Sequence, residues 1–282
     1  MKKFLWALFV LLGAFLGLVL LISVMVAINP EWSTSTNGLL VIQAIQTIVL
    51  FGCTTYVGVK FTETGNPLKL MSLTKGLTIK QIVISFLFAI SALPIISFFS
   101  EWNKGMELPS FLASMEEIMK QMEDQAMVMT ERFLSTSSVG MLFVNLFVIA
   151  LLPALCEEMM FRGWLQRRLS NSVNIHVAIW VSAFVFSAIH FQFYGFLPRM
   201  LIGAALGYLY YYTGSLWAPI IAHFTNNAVA VATTFLTYNK ITTTDFDMIG
   251  VGDMWYMSLA SVAVCVALMC VLRREQLERL KQ

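Results

Sequence analysis

Eight stretches of this chain are apolar enough to sit in lipid: roughly 4–28, 39–60, 79–100, 138–161, 175–191, 197–213, 217–238 and 253–272. A helix that crosses the hydrocarbon of a bilayer needs about 20 such residues. Hydrocarbon offers no water to backbone N–H and C=O groups, so a spanning segment must be a helix or part of a closed barrel. Runs this uniformly apolar lack the alternation of barrel strands. The expected fold is therefore all-α, a polytopic membrane bundle of about eight transmembrane helices, of which the fifth and sixth are short. The charge content agrees. Only 12% of the 282 residues are charged and 58% are hydrophobic, too few charges to clothe a soluble domain. That excludes a disordered chain, a collagen-like chain and an ordinary soluble enzyme. A net charge of +2 gives no bulk basic field for nucleic acid.

The cations are unevenly placed. With the N-terminus inside, the inner segments hold Lys2, Lys3, Lys60, Lys69, Lys75, Lys80, Arg162, Arg167, Arg168, Arg273, Arg274, Arg279 and Lys281. The outer segments hold only Lys104, Lys120, Arg132, Arg199 and Lys240. The positive-inside rule then predicts a multi-pass protein of the cell membrane with both termini cytoplasmic. The apolar run from Phe4 to Ile28 exceeds the about 7–15 residues of a signal-peptide core, so it reads as a retained first helix. Cys53, Cys156, Cys265 and Cys270 all fall in apolar runs and read as small hydrophobes.

One outer segment has a pattern of its own. Over 111–133, apolar residues recur at 111, 115, 119, 122, 126, 129 and 133, with Glu116, Glu117, Lys120, Glu123 and Asp124 on the other side. That spacing is helical and amphipathic. The segment reads either as a connector packed on the bundle or as an interfacial lid that touches substrate. The chain divides into 1–137, holding the first helices and this segment; 138–240, a core holding the polar residues considered next; and 241–282, the last helix and a basic tail.

An ionised side chain at the centre of a spanning helix costs roughly 2.5–3.5 kcal/mol on insertion scales, so it needs a partner or a role. Three places stand out. In Glu157-Glu158-Met159-Met160-Phe161-Arg162, Glu158 and Arg162 are i and i+4 and can pair. Glu157 lies about 100° around the helix from Glu158 and is left free. In Phe186-Ser187-Ala188-Ile189-His190, a lone imidazole sits in the fifth span. In His223-Phe224-Thr225-Asn226-Asn227, His223 and Asn227 share a face and can aim at one oxygen. At about 1.5 Å per residue, Glu157 and His190 lie roughly 22 and 27 Å from the turn near Ser172, and His223 about 14 Å beyond Gly214. The three levels can meet in the cytoplasmic half of the membrane. A carboxylate, two imidazoles and an amide at one depth make a hydrolytic site: the carboxylate takes a proton from water, an imidazole aligns that water, and the other donors hold an oxyanion.

These segments resemble the CPBP family of intramembrane proteases, which groups type II CAAX prenyl endopeptidases with bacteriocin-processing and self-immunity (Abi) proteins. Its motifs EExxxR, FxxxH and HxxxN are present in order as Glu157-Glu158 with Arg162, Phe186 with His190, and His223 with Asn227. The run from Gly203 and Gly207 through Gly214-Ser215-Leu216-Trp217-Ala218-Pro219 is also similar, so the resemblance covers about 140–235. It implies that Glu157 activates water with His190 assisting, that His223 and Asn227 form the oxyanion site, and that Glu158 and Arg162 support them. It also implies a membrane-associated peptide or protein substrate, without saying whether that substrate is prenylated. No cofactor is expected. The alternative is zinc, with Glu157, His190 and His223 as ligands and water in the fourth position.

Gly250-Val251-Gly252-Asp253 matches the GxGD pattern of aspartyl intramembrane proteases. That chemistry needs a second aspartate beside the first, and Asp124, Asp245 and Asp247 all fall in expected outer loops. The stretch reads as a loop into the last helix. The competing reading from another class is a non-enzymatic immunity or scaffold protein that binds a partner. A transporter is a third reading, disfavoured because the sequence shows no inverted repeat. Nothing in the sequence fixes an oligomeric state.

Overall fold

The structure, a computed structural model, describes residues 2–281. The side chains of Lys2 and Lys3, counted above among the inner charges, lie outside the described residues. The long helices are α1 (Lys2–Ile28), α2 (Thr36–Thr62), α3 (Ile79–Lys104), α4 (Ala113–Leu134), α5 (Val139–Ser170), α6 (Ile175–Ala188), α7 (Phe196–Thr213), α8 (Trp217–Tyr238) and α9 (Trp255–Arg279). Among the described residues there is no strand. The chain is an integral membrane protein. Four of these helical stretches, α2, α3, α5 and one that ends with α9, are by themselves long and apolar enough to cross a membrane. Shorter apolar stretches among the described residues are Leu12–Ile28 of α1 and Ile175–Ala188, the whole of α6. Helix α6 has only 14 residues, and α8 carries the polar residues of the third motif.

Large apolar side chains on α1, α3, α6 and α9, such as Leu20, Phe86, Phe184 and Leu259, point outward. In lipid such a surface costs nothing, so packing inside must come from close contact rather than from hydrophobic drive. The core joins Ile84, Phe88 and Ala92 of α3 to Leu206 and Leu209 of α7, Ala218 and Ala222 of α8, and Leu272 of α9. Helix α1 stays at the edge, leaning on α2.

The start of α1 and the end of α9 lie on one face of the bundle, the terminal face, together with the links 63–78, 171–174 and 214–216. The links 29–35, 105–138, 189–195 and 239–254 lie on the opposite, distal face. Ion pairs tie the terminal face: Lys80 to Glu275 at 2.8 Å and Arg167 to Glu63 at 2.6 Å. The distal link holds Gly250 at φ +94°, where a Cβ would strike the Pro94 carbonyl and Ser258 Oγ, each at 2.5 Å. Asp253 is exposed in a short turn before α9, so the GxGD stretch is a loop.

Helix α7 packs against α5 and α6 through two glycines. A Cβ on Gly203 would meet Phe186 Cδ1 at 3.1 Å and Ala183 Cβ at 3.3 Å. A Cβ on Gly207 would meet Gln166 Oε1 at 2.7 Å and Ile179 Cγ2 at 2.9 Å. The close approach also exposes the two glycine carbonyls to partners. Arg162 Nη2 donates to Gly203 O at 2.7 Å and Gln166 Nε2 to Gly207 O at 3.0 Å. Gly207→Ala is expected to push α7 off α5 and to lower stability by about 1–3 kcal/mol, as overpacking does. Thermal unfolding in detergent reads this; an unchanged midpoint would mean that the contact is looser than these distances.

Candidate active site

The sequence Glu157-Glu158 sits on α5 between two π-helical stretches, Leu146–Leu151 and Met159–Gln166. A π segment adds a residue to a turn and is frequent at functional sites. Glu158 turns inward and is fully buried. Arg162 Nη1 donates to Glu158 Oε1 at 2.6 Å, so the i, i+4 pair forms inside the bundle. Its guanidinium also stacks 4.8 Å from the centre of the Phe186 ring, a cation–π contact. His223 comes to the same carboxylate from α8, with Nδ1 at 2.8 Å from Glu158 Oε1. A carboxylate flanked by a guanidinium accepts here, so His223 Nδ1 carries the proton and donates it. The other ring nitrogen, Nε2, stands 4.0 Å from Glu157 Oε2.

Glu157 differs from its neighbour. Among the described residues its carboxylate takes part in no hydrogen bond, and it lines a cavity of about 650 Å³. His190, His223 and Asn227 line the same cavity. The structure thus brings the four candidate catalytic residues to one space and places the Glu158–Arg162 pair behind it. Two carboxylates and a guanidinium sum to one negative charge.

His190 departs from the expected helical setting. The fifth span was expected to run to 191, but α6 ends at Ala188 and His190 lies in the turn beyond it. Phe191 is the reason: it adopts φ +52°, the left-handed region that helices do not continue through. The turn still fixes the ring. His190 Nδ1 donates to the Phe186 carbonyl at 2.8 Å, which leaves Nε2 as an acceptor when the ring is neutral. Phe186 stands edge-on between the two imidazoles, 5.3 Å from His190 and 5.9 Å from His223 by ring centres, and 5.1 Å from Phe161. It holds both rings and the arginine in place, a role its spacing alone did not convey.

Asn227 has its Oδ1 3.5 Å from Asn226 Nδ2. Among the described residues its own Nδ2 has no protein partner, so one donor is available to a ligand. Polar residues that the motifs did not single out also line the cavity, among them Gln192, Arg199 and Asn226. Arg199 Nη2 donates to Gln192 Oε1 at 2.7 Å. The sequence signal was present, since Arg199 is an isolated cation at the start of an apolar helix. The amphipathic segment is a helix, α4, and Ala126, Met129, Thr130 and Phe133 on it line the same cavity. Its end is fastened by Asn145 Nδ2, which donates to Phe133 O at 2.7 Å, and by contacts of Arg132 with Thr34 and Thr36. Burial against this region raises the Glu123 carboxyl above its usual range, and the nearby Arg199 charge pulls it the other way. Helix α4 therefore roofs the cavity rather than merely connecting two spans.

The three zinc candidates, Glu157, His190 and His223, line one cavity. Among the described residues no three His, Cys, Asp or Glu side chains are grouped to hold an ion. His223 Nδ1 and His190 Nδ1 are engaged as donors, which leaves Nε2 of each ring free. A second cavity of about 490 Å³, between α3, α7 and α9, is lined by apolar residues such as Phe88, Trp180 and Met269 and holds none of the candidate residues.

Residues 139–229 match the family described as "Type II CAAX prenyl endopeptidase Rce1-like". A protein of Bacillus subtilis (strain 168), "Uncharacterized protein YpbD", is 35% identical over 89 residues, which are 30% of this chain and 43% of that protein. The match thus spans under half of that relative's length. No solved structure matches.

Proposed function

We propose, from the premise that residues 139–229 form the Rce1-like segment of a type II CAAX prenyl endopeptidase family, that this chain is an intramembrane endopeptidase. The observation that supports it best is the contrast between two adjacent carboxylates. Glu158 is held by Arg162 and His223, while Glu157 faces the cavity unbonded with an imidazole 4.0 Å away. Glu157 then takes a proton from water, and the hydroxide attacks the scissile carbonyl. His190 Nε2 accepts a hydrogen bond from that water and aligns it. The oxyanion of the tetrahedral intermediate is met by Asn227 Nδ2 and by the Nε2–H of protonated His223. Glu157 passes its proton to the departing amine, which breaks the C–N bond and restores the carboxylate. Arg162 and Glu158 hold the His223 ring in one orientation throughout. The scheme runs without a metal. The substrate is a membrane-associated peptide or protein, with the lipid bilayer as the other partner.

The test compares cells that make the wild-type chain with cells that make Glu157→Gln at equal membrane abundance. New peptide termini are mapped across the membrane proteome by mass spectrometry. Termini found only with wild type are the expected result and identify the substrate. An identical set of termini, with a phenotype that Glu157→Gln still rescues, would favour a protein that acts by binding a partner.

A further inference from the structure

The cavity has a direction. Its lining residues nearest a membrane surface are Ser100 at the end of α3, Ala126, Met129 and Thr130 of α4, and Gln192 and Gly195 of the link after α6. All belong to the distal face, and Met129 and Thr130 are exposed to solvent as well as to the cavity. None of the residues 63–78, 171–174 or 214–216 of the terminal face lines it. That face is sealed beneath the site. Met71 and Leu216 are fully buried, and a Cβ on Gly163 of α5 would meet them at 3.1 and 3.4 Å. The strap 71–75 is tied to the link after α7 by Trp217 Nε1, which donates to Leu73 O at 2.9 Å, and by Lys75 Nζ, which donates to Thr213 O at 3.1 Å.

The terminal face is also the cationic one. Arg162 and Arg199 lie within the bundle and do not report on topology. Of the remaining cations, the sequence puts Lys60, Lys69, Lys75, Lys80, Arg167, Arg168, Arg273, Arg274, Arg279, Lys281, Lys2 and Lys3 on the terminal face. It leaves Lys104, Lys120, Arg132 and Lys240 on the distal face. All the links are short enough for the positive-inside rule to apply to them. Helix α4, with exposed Met115, Met122 and Met127, lies on the distal face, where flexible thioether side chains can pack against varied apolar segments.

Resting on the peptidase reading above, we infer that the active-site mouth faces the extracytoplasmic side, and that the substrate is an extracytoplasmic peptide segment beside a membrane anchor. The cytoplasmic tail of a prenylated protein would meet the sealed face. The cavity has the size of a small-ligand pocket. It takes a short extended stretch of chain and excludes a folded domain, so the cleaved bond must lie in a flexible segment close to the bilayer.

Two single cysteines in the full-length chain test the orientation without needing turnover: Thr130→Cys at the mouth and Thr74→Cys on the opposite face, both at exposed positions. Each is probed with a membrane-impermeant maleimide in sealed right-side-out vesicles. The parental chain supplies the baseline, since its own cysteines lie in apolar helices. Thr130→Cys is expected to react in sealed vesicles as fully as after permeabilisation, and Thr74→Cys only after permeabilisation. The reverse pattern overturns the inference and leaves the peptidase reading standing. The mapped termini add a second readout. Glu157-dependent termini on extracytoplasmic flanks support the substrate class, and termini on cytoplasmic tails overturn it. If no terminus depends on Glu157, the peptidase reading fails and takes the substrate class with it, while the labelling still decides where the mouth faces.

Discussion

Arg162→Met is expected to destabilise the protein by about 3–5 kcal/mol, the cost of removing one partner of a buried ion pair. The side chain is 1% exposed and Glu158 is fully buried. Methionine keeps most of the volume but removes the donors to Glu158 Oε1 and to Gly203 O and the charge over Phe186. Glu158 is then left with His223 alone in a medium that penalises bare charge. Arg162→Lys should recover only part of the loss, because one ammonium cannot reproduce a fork that reaches two helices and stacks on a ring. The double variant Arg162→Met with Glu158→Gln should be more stable than Arg162→Met alone, since it leaves no unpaired charge. Thermal unfolding of the three variants in detergent decides the matter. A single Arg162→Met variant as stable as wild type would mean that the pair does not hold the core.

Much of this arrangement could be read from the chain before any coordinates. Lipid imposes one rule on backbone groups, so eight apolar runs translate almost directly into helices, and i, i+4 spacing is enough to pair Glu158 with Arg162. The unread part has physical causes. His190 leaves the helix because Phe191 takes a left-handed backbone conformation, and no periodicity signals that in a run of apolar residues. Phe186 was read as part of the FxxxH pattern without a role of its own; its position between two imidazoles and a guanidinium depends on how α6 lies against α5 and α8. Arg199 was counted as an outer-loop charge, yet it lines the cavity, where its Nη2 donates to Gln192 Oε1. Depth estimates along single helices put the candidate residues in the cytoplasmic half of the membrane, whereas His190 lies in a distal link and the cavity it lines reaches the distal residues Ser100, Thr130 and Gly195. Seeing which end of the bundle is open needed the strap 71–75 folded over the link after α7, and α4 laid across the opposite end.

Glu157→Gln should lower turnover about 10²–10⁴-fold, the usual contribution of a positioned general base, with little change in stability. The amide matches the carboxylate in shape, and among the described residues no protein hydrogen bond to Glu157 is lost. The change removes a buried charge rather than a contact. Glu158→Gln, one residue along, should behave differently. It strips the counter-charge from Arg162 and from His223, so stability and turnover should fall together, even though glutamine Oε1 can still accept from His223 Nδ1. The comparison therefore separates a group that acts on water from a group that holds others in place. Both variants are assayed on a peptide that spans a bond found by the terminus mapping, with kcat and unfolding midpoint measured on the same preparations. Equal stability and equal loss of kcat in the two variants would contradict the division of labour between Glu157 and Glu158. A Glu157→Gln enzyme that keeps its rate within a factor of a few would remove Glu157 as the base and turn attention to His223, whose Nε2 is the nearest alternative acceptor when the ring is neutral.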